Sequence, residues 1–190
     1  MDGPGRIEVI CGPMFAGKTE ELLRRVRRAV IAGRRVVVVG HALDARHGVD
    51  RLASHAGLDH PSVSVSTAAD IQGVVDPETE MLAVDEAQFF GTDLIAVASR
   101  LADGGMVVVI AGLDVTFDGR PFEPLPSLMA LAERVDKLTA ICAVCGEEAV
   151  FHVRVTASTA SSAELVAENV GGTETYQARC RRHVATAARA

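Results

Sequence analysis

The chain has 190 residues, 48% of them apolar and 23% charged, with a net charge of −6. That length supports one substantial core and a small appended lobe but not two nucleotide-binding domains, and the apolar content excludes a disordered chain. The acidic balance argues against a broad duplex-binding surface, because non-specific affinity for nucleic acid comes from Lys and Arg neutralising phosphates, so no nucleic-acid polymer is expected as a partner.

The longest apolar runs, 36–39 and 106–113, are strand-sized, well short of the roughly 20 residues of a membrane helix. Met1-Asp2-Gly3-Pro4-Gly5 carries no basic region followed by an apolar one, so nothing marks the chain for export and a cytoplasmic setting is expected. In that compartment, paired cysteines point to metal or redox chemistry rather than to structural disulfides.

In chain order, residues 7–11 read as a buried strand and residues 20–31 as an amphipathic helix that stops before Gly33. Between them lies Gly12-Pro13-Met14-Phe15-Ala16-Gly17-Lys18-Thr19, a Walker A loop in the strand–loop–helix context its mechanism requires. The glycines let backbone N–H groups converge on a β-phosphate, the helix start adds positive potential, Lys18 reaches the β/γ-phosphates and the Thr19 hydroxyl ligates Mg²⁺. Arg24, Arg25, Arg27 and Arg28 on the helix read as a solvated basic face, and Cys11 as a small buried residue without a role.

Residues 36–39, 81–84 and 106–111 read as strands buried on both faces, with helix-like stretches at 68–75 and 92–102 between them. The expected fold is therefore α/β and P-loop NTPase-like, a mainly parallel sheet flanked by helices. Residues 40–61 form a long polar connection with His41, His47, His55 and His60, which lack paired spacing and read as surface-loop residues. The run 81–84 delivers Asp85 and Glu86 to the sheet's carboxyl edge in the manner of a Walker B strand: Asp85 would hold Mg²⁺ and Glu86 would accept a proton from an attacking hydroxyl. Asp85-Glu86-Ala87-Gln88, assigned to ATP and Mg²⁺ binding, also resembles a helicase box, which keeps a P-loop ATPase coupled to nucleic acid as the rival reading.

Beyond residue 140 the chain turns to short β-branched segments, 149–156 and 164–170. A nucleotide-binding domain over 1–139 followed by a small β-rich lobe over 140–190 is expected. Cys142-x-x-Cys145 and Cys180-x-x-His183 are two chelating pairs that together make a tetrahedral Cys₃His set suited to Zn²⁺. With four protein ligands and no open position, such a zinc is structural.

These motifs, with 112–122 (Gly-Leu-Asp-Val-Thr-Phe-Asp-Gly-Arg-Pro-Phe), 137–146 and 171–183, resemble the thymidine kinase family whose members carry a zinc-containing lobe, over nearly the whole chain. The resemblance implies transfer of the ATP γ-phosphate to the 5′-hydroxyl of thymidine or deoxyuridine, with Glu86 as proton acceptor and Lys18 and Arg46 at the reacting groups. It implies a nucleoside pocket of Met14, Phe89, Leu113, Phe117, Phe122, His152, Gly171 and Tyr176, with that lobe completing it. It also implies dTTP as feedback inhibitor and a homotetramer. Two departures stand out: Asp44-Ala45-Arg46-His47 where the family commonly has Asp-x-Arg-Tyr, and His152 where it commonly has Thr. An imidazole titrates near neutrality, so His152 carries an expectation of altered pyrimidine contacts or pH-dependent binding, and a deoxynucleoside kinase of different base preference remains an alternative.

Overall fold

The computed structural model describes residues 5–43, 51–53, 59–155 and 175–187. Arg46 and Gly171, with His47 and His55, lie outside the described residues. In chain order the elements are β1 (Arg6–Gly12), α1 (Lys18–Ile31), β2 (Val36–His41), β3 (Arg51–Ala53), β4 (Asp59–Pro61), β5 (Val63–Val65), α2 (Ala68–Val74), β6 (Met81–Val84), a 3₁₀ turn (Ala87–Phe90), α3 (Asp93–Asp103), β7 (Val107–Leu113), α4 (Leu125–Leu131), β8 (Arg134–Lys137), β9 (Ala140–Ile141), β10 (Glu148–Ala149), β11 (Phe151–Arg154), β12 (Tyr176–Arg179) and α5 (Arg181–Ala187).

Six strands form one sheet in the order β5-β2-β6-β7-β1-β8, and every pairing in it is parallel. The uninterrupted apolar runs explain the burial, because alternate side chains of each strand enter different cores. Val9, Leu82, Val84, Val108 and Ile110 pack with Ile71, Leu94, Val97, Leu125 and Leu128 on one side. Ile10, Val38, Ala83, Val109 and Ala111 pack with Leu22, Leu23, Val26 and Ala29 of α1 on the other. The sheet is thus covered on both faces, as expected.

Arg25 departs from the expected basic face. It is buried, and its guanidinium bonds Glu8 Oε2 at 2.7 Å, Glu21 Oε1 at 2.9 Å and Asp136 Oδ2 at 2.5 Å, joining α1 to β1 and β8. The helical stripe of Leu22, Val26 and Ala29 turns position 25 toward the sheet, and acids on neighbouring strands meet it there.

The C-terminal part is β-rich: β9 pairs with β10 and β11 with β12, both antiparallel. A small apolar cluster of Ala140, Cys142, Ala149 and Ala178 holds these ladders together, and Ala16 of the phosphate loop packs against it. No described helix is long and apolar enough to cross a membrane.

Candidate active site and cysteine–histidine cluster

The phosphate loop closes between β1 and α1 with the backbone its glycines permit. Gly12 has φ 144°, and a Cβ there would sit 2.4 Å from the Leu138 carbonyl oxygen, so no other residue fits. Gly17, at φ 79°, starts α1 from a left-handed conformation. Lys18 Nζ donates to the Pro13 carbonyl at 2.8 Å, which curls the ammonium back over the loop.

Opposite the loop, β6 ends at Asp85, which is 2% exposed. Its Oδ2 accepts from Thr19 Oγ1 at 2.8 Å and its Oδ1 from the Glu86 amide at 2.9 Å. Burial, reinforced by the Glu86 charge, pushes the Asp85 carboxyl up to about 7 despite these bonds. A buried carboxylate beside a second acid and a hydroxyl is an oxygen donor set that fits Mg²⁺, whose charge would offset that penalty. Glu86 takes φ 50°, a left-handed turn rare for a non-glycine residue, so its carboxylate leaves the strand in a direction of its own. Gln88 is buried beneath it: Nε2 donates to Glu86 Oε2 at 2.5 Å while Oε1 accepts from the Leu113 amide at 3.0 Å. Gly112 leaves room for that amide, since a Cβ there would stand 2.9 Å from Gln88 Oε1. Ala87 is fully buried in the core.

A wall of rings and polar groups stands near the loop. Tyr176 on β12 is buried, with the Phe117 ring 6.3 Å away and the His152 ring edge-on at 5.8 Å. His152 is 3% exposed and its Nδ1 has no hydrogen-bond partner among the described residues. Burial, with a smaller contribution from the Lys18 charge, lowers the imidazole to about 3, so it is neutral at physiological pH rather than titrating there. Met14, Phe89, Leu113 and Phe122 are each half-buried. Phe89 lies 5.7 Å from the ring of His41, which also meets Phe90 edge-on at 4.7 Å.

His41 therefore corrects the surface-loop expectation. It closes β2 as a buried residue, with Nδ1 accepting from the Leu43 amide at 3.1 Å and Nε2 3.0 Å from the Ser66 carbonyl, an arrangement that fixes the neutral Nε2–H tautomer. His60 is half-buried on β4.

The two chelating pairs converge. Cys142 Sγ lies 3.6 Å from His183 Nδ1, Cys180 Sγ 3.2 Å from the same atom, and Cys145 Sγ 3.8 Å from Cys180 Sγ, with all four ligand atoms within 4.8 Å of one another. Metal–sulfur bonds of about 2.3 Å and metal–nitrogen bonds of about 2.0 Å put the edges of a tetrahedron near 3.5–3.8 Å. Two of the three separations, 3.6 and 3.8 Å, match those edges and the third is shorter, and the thiolate and imidazole donors fit zinc in kind.

A family model described as thymidine kinase matches residues 5–184. The chain belongs to the thymidine kinase family. The thymidine kinases of two Halobacterium salinarum strains are each 47% identical to it over 182 residues, covering 93% of this chain and 92% of theirs. The thymidine kinase of Deinococcus deserti is 43% identical over 189 residues, 94% of each chain.

Within this thymidine kinase fold, Arg154 lies outside the motif segments, and Asp114 and Lys137 lie inside them without an assigned role. Arg154 lies with its guanidinium 4.3 Å from the Phe117 ring centroid and 5.6 Å from that of Tyr176. The alternation of β11 carried the signal, because period two puts residue 154 on the same face as His152. Asp114, buried just past β7, pairs through Oδ2 with Lys137 Nζ at 2.6 Å, while its Oδ1 has no hydrogen-bond partner among the described residues. Both lie beside Cys11, whose thiol is pushed up to about 12 by burial and then by the Asp114 charge. That inert thiol agrees with the sequence reading.

Proposed function

We propose that the chain transfers the γ-phosphate of ATP to the 5′-hydroxyl of thymidine, giving thymidine monophosphate for nucleotide salvage. The observation that carries the reading is the bond of Thr19 to Asp85 across the phosphate loop, with Glu86 alongside, in a chain of the thymidine kinase family.

In this reading the amides of the phosphate loop and the start of α1 hold the β- and γ-phosphates, and Lys18 releases the Pro13 carbonyl to bind them. Thr19 and Asp85 would hold Mg²⁺, which when bound with ATP neutralises charge on the phosphates. Glu86, steadied by Gln88, accepts the proton of the attacking hydroxyl, while Arg46 stands near the reacting groups by family likeness alone. Little covalent help is needed; the groups supply position and charge. The base lies among Met14, Phe89, Leu113, Phe117, Phe122, His152 and Tyr176, with backbone near Gly171 reading its edge. Cys142, Cys145, Cys180 and His183 would hold a structural Zn²⁺ in a lobe over 140–190 that completes the pocket of the 1–139 domain. Family likeness also carries dTTP as feedback inhibitor, a homotetramer and a cytoplasmic setting.

The test compares ATP turnover with thymidine against ATP turnover with single-stranded DNA. Thymidine-dependent formation of thymidine monophosphate, without DNA stimulation, is the expected result. DNA-stimulated hydrolysis with no nucleoside product would overturn the proposal in favour of a nucleic-acid-coupled ATPase.

A further inference from the structure

We propose that Arg154 is a positioning residue for the nucleoside, a clamp that holds the rings of Phe117 and Tyr176 at a fixed separation. This rests on the reading of those two rings as walls of the nucleoside pocket.

Phe117 and Tyr176 come from segments far apart in the chain. Phe117 sits in a tight turn beyond β7, closed by the Thr116 amide on the Arg120 carbonyl at 2.8 Å and the Gly119 amide on the Thr116 carbonyl at 2.9 Å. Tyr176 opens β12 and pairs directly with Arg154 of β11 in the antiparallel ladder. The rings are 6.3 Å apart and tilted by 44°, in contact range but neither stacked nor edge-on, so their own contact does not define one orientation. Arg154 bridges them: its guanidinium carbon is 4.3 Å from one centroid and 5.6 Å from the other, and Nη2 donates to the Tyr176 hydroxyl at 3.1 Å. One planar cation thus contacts a ring on the phosphate-loop side and a ring on the lobe. A guanidinium can stack on a face and donate in its own plane at once, whereas an ammonium cannot.

The turn has its own hydrogen bonds and β12 its own ladder, so losing Arg154 frees ring positions rather than unfolding either segment. The consequence falls on nucleoside binding. Arg154→Met, which keeps the apolar stem, raises the KM for thymidine about tenfold, while the KM for ATP and the thermal midpoint stay near wild type. Arg154→Lys restores charge without the planar contact and falls between the two. Tyr176→Phe, which deletes only the hydroxyl, raises the KM for thymidine in wild type and raises it by a smaller factor in Arg154→Met, because the bond to Arg154 is already gone there.

Steady-state kinetics on the four variants and wild type decide the matter. An unchanged thymidine KM in Arg154→Met overturns the clamp. A parallel rise in the KM for ATP with a lowered thermal midpoint also overturns it, by making Arg154 a merely structural residue. Tyr176→Ala and Phe117→Ala test the pocket reading separately: a large thymidine effect there with none in Arg154→Met rejects the clamp alone, and no effect in either alanine variant rejects the pocket and the clamp together.

Discussion

At Lys18 the expected effect is simple. Its ammonium is assigned to the β- and γ-phosphates, so Lys18→Ala abolishes turnover with an unchanged circular dichroism spectrum; an active variant would contradict the phosphate-loop assignment. Asp85 and His152 make opposite predictions about pH. The folded-state pKa of Asp85 is raised to about 7, so the folded protein holds a proton that the unfolded chain has lost, and stability falls as pH rises from about 4 through 7. Asp85→Asn should therefore raise the thermal midpoint at pH 8 without Mg²⁺, by about 2–4 °C for each kcal/mol recovered, and lose activity. The folded-state pKa of His152 is lowered to about 3, so the unfolded chain takes up the proton first, and stability falls as pH drops from about 6.5 toward 3. In His152→Thr that acid-side loss should be shallower, as urea melts at pH 7, 6 and 5 would show.

Among the elements, α1 and the cysteine–histidine ladders carry the most testable energetics. Arg25 on α1 neutralises the buried Glu8, and Arg25→Met leaves that carboxylate, among the described residues, with the half-exposed Arg6, whose Nε reaches Oε1 at 2.7 Å. Removing one partner of a buried pair costs about 3–5 kcal/mol, and the surviving Arg6 bond favours the lower end. A drop of the thermal midpoint by about 6–12 °C follows, against no change if the residue were on a solvated face. The strands and helices of the sheet were legible in the sequence because runs such as 81–84 and 106–111 are apolar at every position, which only a doubly covered strand requires. Arg25 and His41 were not, since composition says charged or polar while burial depends on partners such as Glu8, Asp136 and the Ser66 carbonyl, brought near only by the fold. The cysteine–histidine cluster was legible because its paired spacing is local; the contacts of Arg154 were not, because Phe117 and Tyr176 meet it from distant segments.

For the whole molecule, the proposed phosphate site at the sheet's carboxyl edge adjoins a β-rich C-terminal part in which the described residues form one cluster of four small buried residues, Ala140, Cys142, Ala149 and Ala178. Zinc held by Cys142, Cys145, Cys180 and His183 would tie these short ladders together and add to their stability. About one zinc per chain is expected by elemental analysis of protein purified under reducing conditions. Chelation should lower the thermal midpoint before it alters ATP binding, because the ligands touch the lobe and not the phosphates. The central claim is that this site phosphorylates thymidine with Glu86 as the base, and mass analysis of products from ATP and thymidine, run with wild type and Glu86→Gln, tests it most directly. Thymidine 5′-monophosphate from wild type, with the rate reduced roughly 10²–10⁴-fold in Glu86→Gln while ATP still binds, is the predicted result. No nucleoside monophosphate from wild type, or an undiminished rate from Glu86→Gln, would contradict it.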